Sequence, residues 1–206
     1  MQPATEREDG SVTDRRRVVA VAGHRGDVVT ARAGLGDPAP TVRATALGAL
    51  ARIGALRDDD LESGLRDGDP TVRRRAAELA AGHPDVSLVR ALDDADASVV
   101  EMAAWSLGER GEVGAVVALA RLVPAEGGHP DPLCREAAVA ALGAIGDPGG
   151  LPAVLGALDD KPAVRRRAAV ALAAFDGPQV EAALRRCLDD RDWQVRQVAE
   201  DLLAVD

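Results

Sequence analysis

A short segment reading Asp-Pro-x-Val-Arg, followed by an alanine-rich run, recurs down this chain. It stands as DPTVRRRAAELAAG from Asp69, DPLCREAAVAALGAIG from Asp131 and KPAVRRRAAVALAAF from Lys161. Looser copies are APTVRATALGALARIG from Ala39, DASVVEMAAWSLGERG from Asp96 and DWQVRQVAEDLL from Asp192. The Val position falls at Val42, Val72, Val99, Cys134, Val164 and Val195, in steps of 30, 27, 35, 30 and 31 residues. A period in this range specifies stacked units, each too small to bury its own apolar face. Function then resides on a surface, not in a single motif.

Most Val-Arg segments follow a second, shorter apolar segment: DDLESGLRD from Asp59, DVSLVRALDD from Asp85, GLPAVLGALDD from Gly150 and QVEAALRRCLDD from Gln179. Leu61 and Leu65 are four apart, as are Leu88 and Leu92, and Leu184 and Leu188, which puts each pair on one helical face. Each unit therefore reads as helix A, an acidic turn, helix B and a glycine-containing turn. Pro70, Pro132 and Pro162 suit a helix's first turn. Asp69, Asp96 and Asp192 are placed to cap the unpaired N–H groups there. Gly54, Gly82, Gly111 and Gly146 are stop signals. The expected buried sets are Val164, Ala168, Ala169 and Leu172 in one copy, and Cys134, Ala138, Val139 and Leu142 in another. Alanine at the middle positions lets neighbouring helices approach closely, where larger side chains would overpack at about 1–3 kcal/mol.

The ends depart from the pattern. TDRRRVVAVAGH from Thr13 matches TVRRRAAELAAGH from Thr71 with one residue missing, so Val12 to Ala22 reads as a B-like cap on the first layer. Residues 1–10 lack apolar periodicity and are expected to form a disordered N-terminal tail. Residues 11–206 are expected to be a single domain with terminal capping helices. The insertion PAEGGHPD, 124–131, accounts for the 35-residue step and maps to an edge loop.

The net charge of −9, from 25 basic and 34 acidic residues, argues against a general nucleic-acid coat but not against a local basic patch. No run of 18 apolar residues marks a membrane span, and no apolar signal core opens the chain, so a cytoplasmic location is expected. Cys134 and Cys187 lie in separate copies. Cys134 replaces a core Val and reads as a small buried hydrophobe.

The pattern D-x-x-V-R-x-x-A-A-x-A-L-G, best matched at 131–147 and 161–175, resembles HEAT repeats of the short bacterial kind, including the phycobilisome lyase-like group. The resemblance covers roughly 24–205. It implies an all-α fold, a right-handed α-solenoid of stacked helical hairpins. In that family the arginine after Val commonly bonds an aspartate of an adjacent turn, forming a ladder. The matching residues here are Arg43, Arg73, Arg135, Arg165 and Arg196, with Asp37, Asp67, Asp94, Asp160 and Asp190 as candidate partners. Val100 replaces the arginine in one copy and interrupts the series. Members of the family are adaptors, assembly factors, chromophore lyases and, in a related group, alkylated-DNA glycosylases.

In HEAT-like solenoids the B helices line the concave face. The positions least needed for packing there are Arg74, Arg75 and Glu78, then Glu101, Met102 and Trp105, then Glu136, then Arg166 and Arg167. Arg16 and Arg17 fall in the matching phase of the cap. Basic stations near Arg16, Arg74 and Arg166 would flank an acidic-apolar middle. Solvated charges are also the ordinary outer face of any helical repeat. Trp105 has no recurrent core slot at its phase, so it either anchors an interface or packs on an adjacent helix. Trp193 replaces a turn proline and is expected to cover the last layer, or to serve self-association.

Catalytic chemistry has little support. His24, His83 and His129 each lie in an inferred turn, without zinc-site spacing or a cysteine pair. Gly127-Gly128 lacks the Lys and Ser/Thr of a phosphate loop. No metal and no cofactor is expected. The leading expectation is a non-enzymatic scaffold or adaptor binding a protein or peptide, with basic stations that suit an acidic partner. The alternative is a HEAT-type enzyme, lyase-like or glycosylase-like, which rests on fold analogy alone.

Overall fold

The computed structural model describes residues 4–204, with side chains described from Ser11 onward. Every regular element among them is helical. The chain divides into two compact units, Met1–Ser87 and Leu88–Asp206. The expected disordered tail concerns residues 1–10. Residues 1–3 lie outside the described set, and the backbone is helical from Ala4.

In the first unit α1 (Ala4–Arg25), α3 (Pro40–Ile53) and α5 (Pro70–Leu79) hold the B position, while α2 (Val28–Ala33) and α4 (Asp58–Leu65) hold the A position. Helix α3 packs between α1 and α5. In the second unit α6 (Ala97–Glu109), α8 (Pro132–Ile145), α10 (Pro162–Ala171) and α12 (Trp193–Leu203) form the B row. Helices α7 (Val116–Leu122), α9 (Leu151–Gly156) and α11 (Pro178–Cys187) form the A row.

The helix signals act locally as their chemistry requires. Asp69, Asp96, Asp131 and Asp192 each accept the backbone N–H of the residue two positions on, at 2.8–3.0 Å. Prolines occupy the first turns of α3, α5, α8 and α10. Gly54 and Gly146 end α3 and α8 at φ of 75° and 67°, a left-handed backbone that glycine adopts without a Cβ penalty.

Packing within each unit is fine-grained. Val42, Val72, Val99, Cys134, Val164 and Val195 are all buried, as are the sets at Ala138, Val139, Leu142 and at Ala168, Ala169, Leu172. A Cβ at Gly108 would come within 2.8 Å of Ala141 Cα, and one at Gly143 within 2.7 Å of Ala171 Cβ. Neighbouring B helices in the second unit thus meet through glycine on one and alanine on the next, too close for any larger pair. Both cysteines are free and buried. Burial, with Asp131 and Glu101 adding, pushes the Cys134 thiol up to about 11, and its Sγ–H donates to the Ala97 carbonyl at 3.2 Å.

One segment differs from expectation in form. The segment 85–94, read as an A helix, makes only a 3₁₀ stretch, Val89–Asp93. Its repeat step is the shortest, 27 residues. Val86, Leu88 and Leu92 are buried nonetheless. The edge insertion is a folded turn. Gly128 N–H donates to the Pro124 carbonyl at 3.1 Å, and His129 N–H to the Leu122 carbonyl at 2.9 Å. A Cβ at Gly128 would collide with both carbonyl oxygens.

Candidate functional site

The arginines after Val are held from two sides. Arg43 donates Nε and Nη2 to Asp67 at 2.8 and 2.7 Å, and Nη1 to the Asp37 and Pro38 carbonyls. Arg135 forks Asp160 at 2.7 and 2.8 Å and donates Nη1 to the His129 and Pro130 carbonyls. Arg165 forks Asp190 at 3.1 and 3.0 Å and reaches the Asp160 carbonyl. Each guanidinium therefore ties the turn of its own repeat to the aspartate of the next. Arg73 and Arg196 likewise donate Nη1 to the Asp67 and Asp190 carbonyls. Asp37 is forked by Arg15 of α1, at 2.7 and 3.0 Å, so the cap helix joins the series.

The same carboxylates organise the turns. Asp37, Asp67, Asp94 and Asp190 each accept the N–H two residues on, and Asp160 accepts that of Lys161. The guanidinium bond is the main cause holding Asp37, Asp67, Asp160 and Asp190 below the ordinary carboxylate range, with burial opposing and the backbone N–H assisting. Bidentate, charge-assisted bonds of this geometry are among the strong ones.

At the interrupted rung the replacement is double. Val100 is fully buried where other copies carry arginine. Two residues before the cap Asp131, where Asp67, Asp94 and Asp190 precede Asp69, Asp96 and Asp192, stands His129. Its Nδ1 accepts the Asp131 N–H at 3.1 Å, as the aspartates do. The turn keeps its bond while the ion pair is lost from both ends. Sequence reasoning noticed Val100 but missed His129; the offset of two from the capping Asp was the available signal.

Two further contacts also escaped the sequence. Asp60, buried in α4, accepts Arg32 Nη1 at 2.9 Å on both oxygens and the Arg57 N–H at 3.1 Å. Burial opposes its ionisation, but the bonds to Arg57 and Arg32 outweigh it and lower its pKa. His83 Nδ1 lies 2.6 Å from Asp58 Oδ1. Neither pair belongs to the recurrent phase, so neither had a periodic signal.

The B-row positions divide by unit. In the first unit Arg74 is exposed, and half-buried Arg75 pairs with Glu78 at 2.8 Å. These residues, with Arg16 and Arg52, line a groove of about 410 Å³ over α1, α3 and α5. In the second unit Glu101 is exposed, Met102 is half-buried and Trp105 is 46% exposed. Glu136 meets Arg167 at 3.4 Å, and Arg166 lies 3.4 Å from Asp192 and bonds Gln194. The two arginines of that station are thus engaged with neighbouring helices. An apolar hollow of about 290 Å³, lined by Ala140, Ala144 and Val170 among others, lies between α8 and α10. Trp193, expected over the last layer, is 64% exposed. Among the described residues no group of three or more His, Cys, Asp or Glu could hold a metal ion, and no helix is long and apolar enough to cross a membrane.

Helical hairpins repeated at about 30 residues, with a B row of recurrent core valines, define an all-α repeat protein of the solenoid class. A family model described as HEAT repeats matches residues 59–128 and 125–204, and the chain belongs to that family. Among solved structures it is similar to a designed armadillo repeat protein, at 20% identity and TM-score 0.62 over 84% of this chain and 97% of that one. It is similar at 26% identity, also with TM-score 0.62, to the complex of CpcE and CpcF of phycocyanin lyase from Nostoc sp. PCC7120, over 85% of this chain and 75% of that one. A designed armadillo repeat protein in complex with the peptide (KR)4 matches at 17% identity and TM-score 0.52, over 98% and 94% of the two chains. No curated protein matches the sequence significantly.

Proposed function

We propose that this chain is a non-enzymatic scaffold or adaptor that binds a protein or peptide along its B-helix row. The observation that carries this reading is Trp105, nearly half exposed on a helix whose Val99, Val100, Ala103, Ala104 and Leu107 are all buried. Helix α6 is fully packed without the indole, so the ring is available to a partner. An exposed aromatic beside Met102 and Glu101 has the makeup of an interface anchor with a polar rim. Peptide binding by a designed armadillo neighbour and the pairing of CpcE with CpcF support the same use of the fold. Arg16, Arg52 and Arg74, exposed and without an ion pair among the described residues, favour an acidic partner. Chemistry of the lyase kind would want Trp105 and a carboxylate inside an enclosed cavity, whereas Trp105 and Glu101 are both exposed. A cytoplasmic setting in a bacterium completes the reading, with two free, buried thiols in keeping.

Affinity capture from the native cell, followed by titration of the captured partner, tests this. Trp105→Ala should cost about 2 kcal/mol or more of binding while leaving thermal stability nearly unchanged. A large fall in melting temperature with undiminished binding would make Trp105 a packing residue and remove the reading's support.

A further inference from the structure

The groove of the first unit has a chemistry of its own. Its floor is small: Ala20, Ala44 and Gly48 leave the helix surfaces low. Its walls carry Arg16, Arg52, Arg74 and Arg75, against a single acid, Glu78. Arg16, Arg52 and Arg74 are exposed and make no ion pair among the described residues. Arg75 is different. A Cβ at Gly48 would fall within 2.5 Å of Arg75 Nη2 and 3.3 Å of its Cζ, so the guanidinium lies against α3 in a notch that only glycine leaves open. Glu78 holds the same group from behind at 2.8 Å. One guanidinium is thus pre-set across the groove, and three stand at its rim.

This local charge runs against the chain's net −9. Field lines from a cluster of like charges in a concavity concentrate there, and the surrounding acidity does not cancel them at short range. A groove of about 410 Å³ with one seated and three exposed guanidinia matches carboxylates along an extended segment, which arginine forks bidentately. Nucleic acid fits less well. No Phe, Tyr or Trp lines the groove to stack a base, and the acidic remainder of the chain repels a long polyanion.

We infer that this groove docks an extended acidic segment of a partner polypeptide, its carboxylates gripped by Arg16, Arg52 and Arg74 and aligned by the pre-set Arg75. The inference rests on the scaffold reading and assigns one station of it. It predicts a division of labour: the groove sets charge selectivity and Gly48 sets the geometry.

The probe is fluorescein-labelled hexaglutamate titrated with the full chain by anisotropy, beside hexalysine and a ten-residue oligothymidylate. Hexaglutamate should bind saturably and hexalysine should not. Arg16→Glu with Arg74→Glu should weaken it by about tenfold or more at low salt, with the difference shrinking as salt rises. Gly48→Ala should also weaken binding, by displacing the Arg75 guanidinium, while the melting temperature holds or rises because alanine favours a helix interior. Binding equal to wild type in both variants would overturn the inference. So would oligothymidylate binding as tightly as hexaglutamate through the same arginines, which would make the groove a general polyanion site. If hexaglutamate fails but a captured partner still depends on Trp105, the groove assignment falls and the scaffold reading stands. Loss of both sinks the two together.

Discussion

Arg165 and Arg166 are adjacent in sequence and opposite in role. The Arg165 side chain is 6% exposed and forks Asp190, while that of Arg166 is 41% exposed and reaches Asp192 at 3.4 Å. Removing one partner of a buried pair strands a charge and costs about 3–5 kcal/mol, against about 0–1 for an exposed pair. Arg165→Ala should therefore lower the urea midpoint clearly more than Arg166→Ala. Equal midpoints would show that the recurrent phase carries no structural weight. The phase was legible from Val-Arg spacing alone, because a residue that repeats with the core valine must point to the same side of every B helix. The fate of Arg166 was not legible, since its side-chain partners Asp192 and Gln194 lie 26 and 28 residues away in the chain.

At the scale of one rung, Val100 and His129 stand as a matched pair of departures. Register places Val100 where the guanidinium belongs and His129 where its acceptor belongs. Val100→Arg alone should destabilise, since it drives a larger, charged group into a site with no exposure, and overpacking alone costs about 1–3 kcal/mol. His129→Asp alone supplies a carboxylate without its arginine. The double variant should be more stable than the sum of the singles by about 0.5–3 kcal/mol, measured as a double-mutant cycle in urea. Zero coupling would mean that the insertion has moved His129 out of register. The expected A helix over 85–94 is instructive at the same scale. Its leucine spacing was helical and its leucines are buried, yet the segment makes only a 3₁₀ stretch, Val89–Asp93. Periodicity reports which side chains go inside; it does not decide the tightness of the coil.

Across the whole chain the ladder carboxylates couple stability to pH. Asp37, Asp67, Asp160 and Asp190 have pKa values below the ordinary value of about 3.9, so the folded state releases their protons more readily than the unfolded chain. Their contribution is complete above about pH 4 and is lost as pH falls through the depressed folded values. Urea midpoints should change little on this account between pH 7 and 5 and drop below about pH 4. Asp160→Asn should be less stable at pH 7 and lose less on acidification. A decline centred near pH 6, unaltered by Asp160→Asn, would contradict the assignment.

Sequence alone determined the all-helical repeat, its period, its core valines and alanines and its capped turns. These depend on residue type and spacing within about thirty positions, and the short-range physics of helices is fully written there. It also marked the candidate B-row residues, because helical phase orders them. The tertiary structure alone decided which of those residues remain available. Arg167 is engaged by Glu136, Arg75 is seated over Gly48, and Trp105 stands out from a helix already packed. Each of these outcomes depends on a neighbour one repeat away, and a side chain's partner across a packed interface is set by helix approach and rotation, which no local pattern encodes.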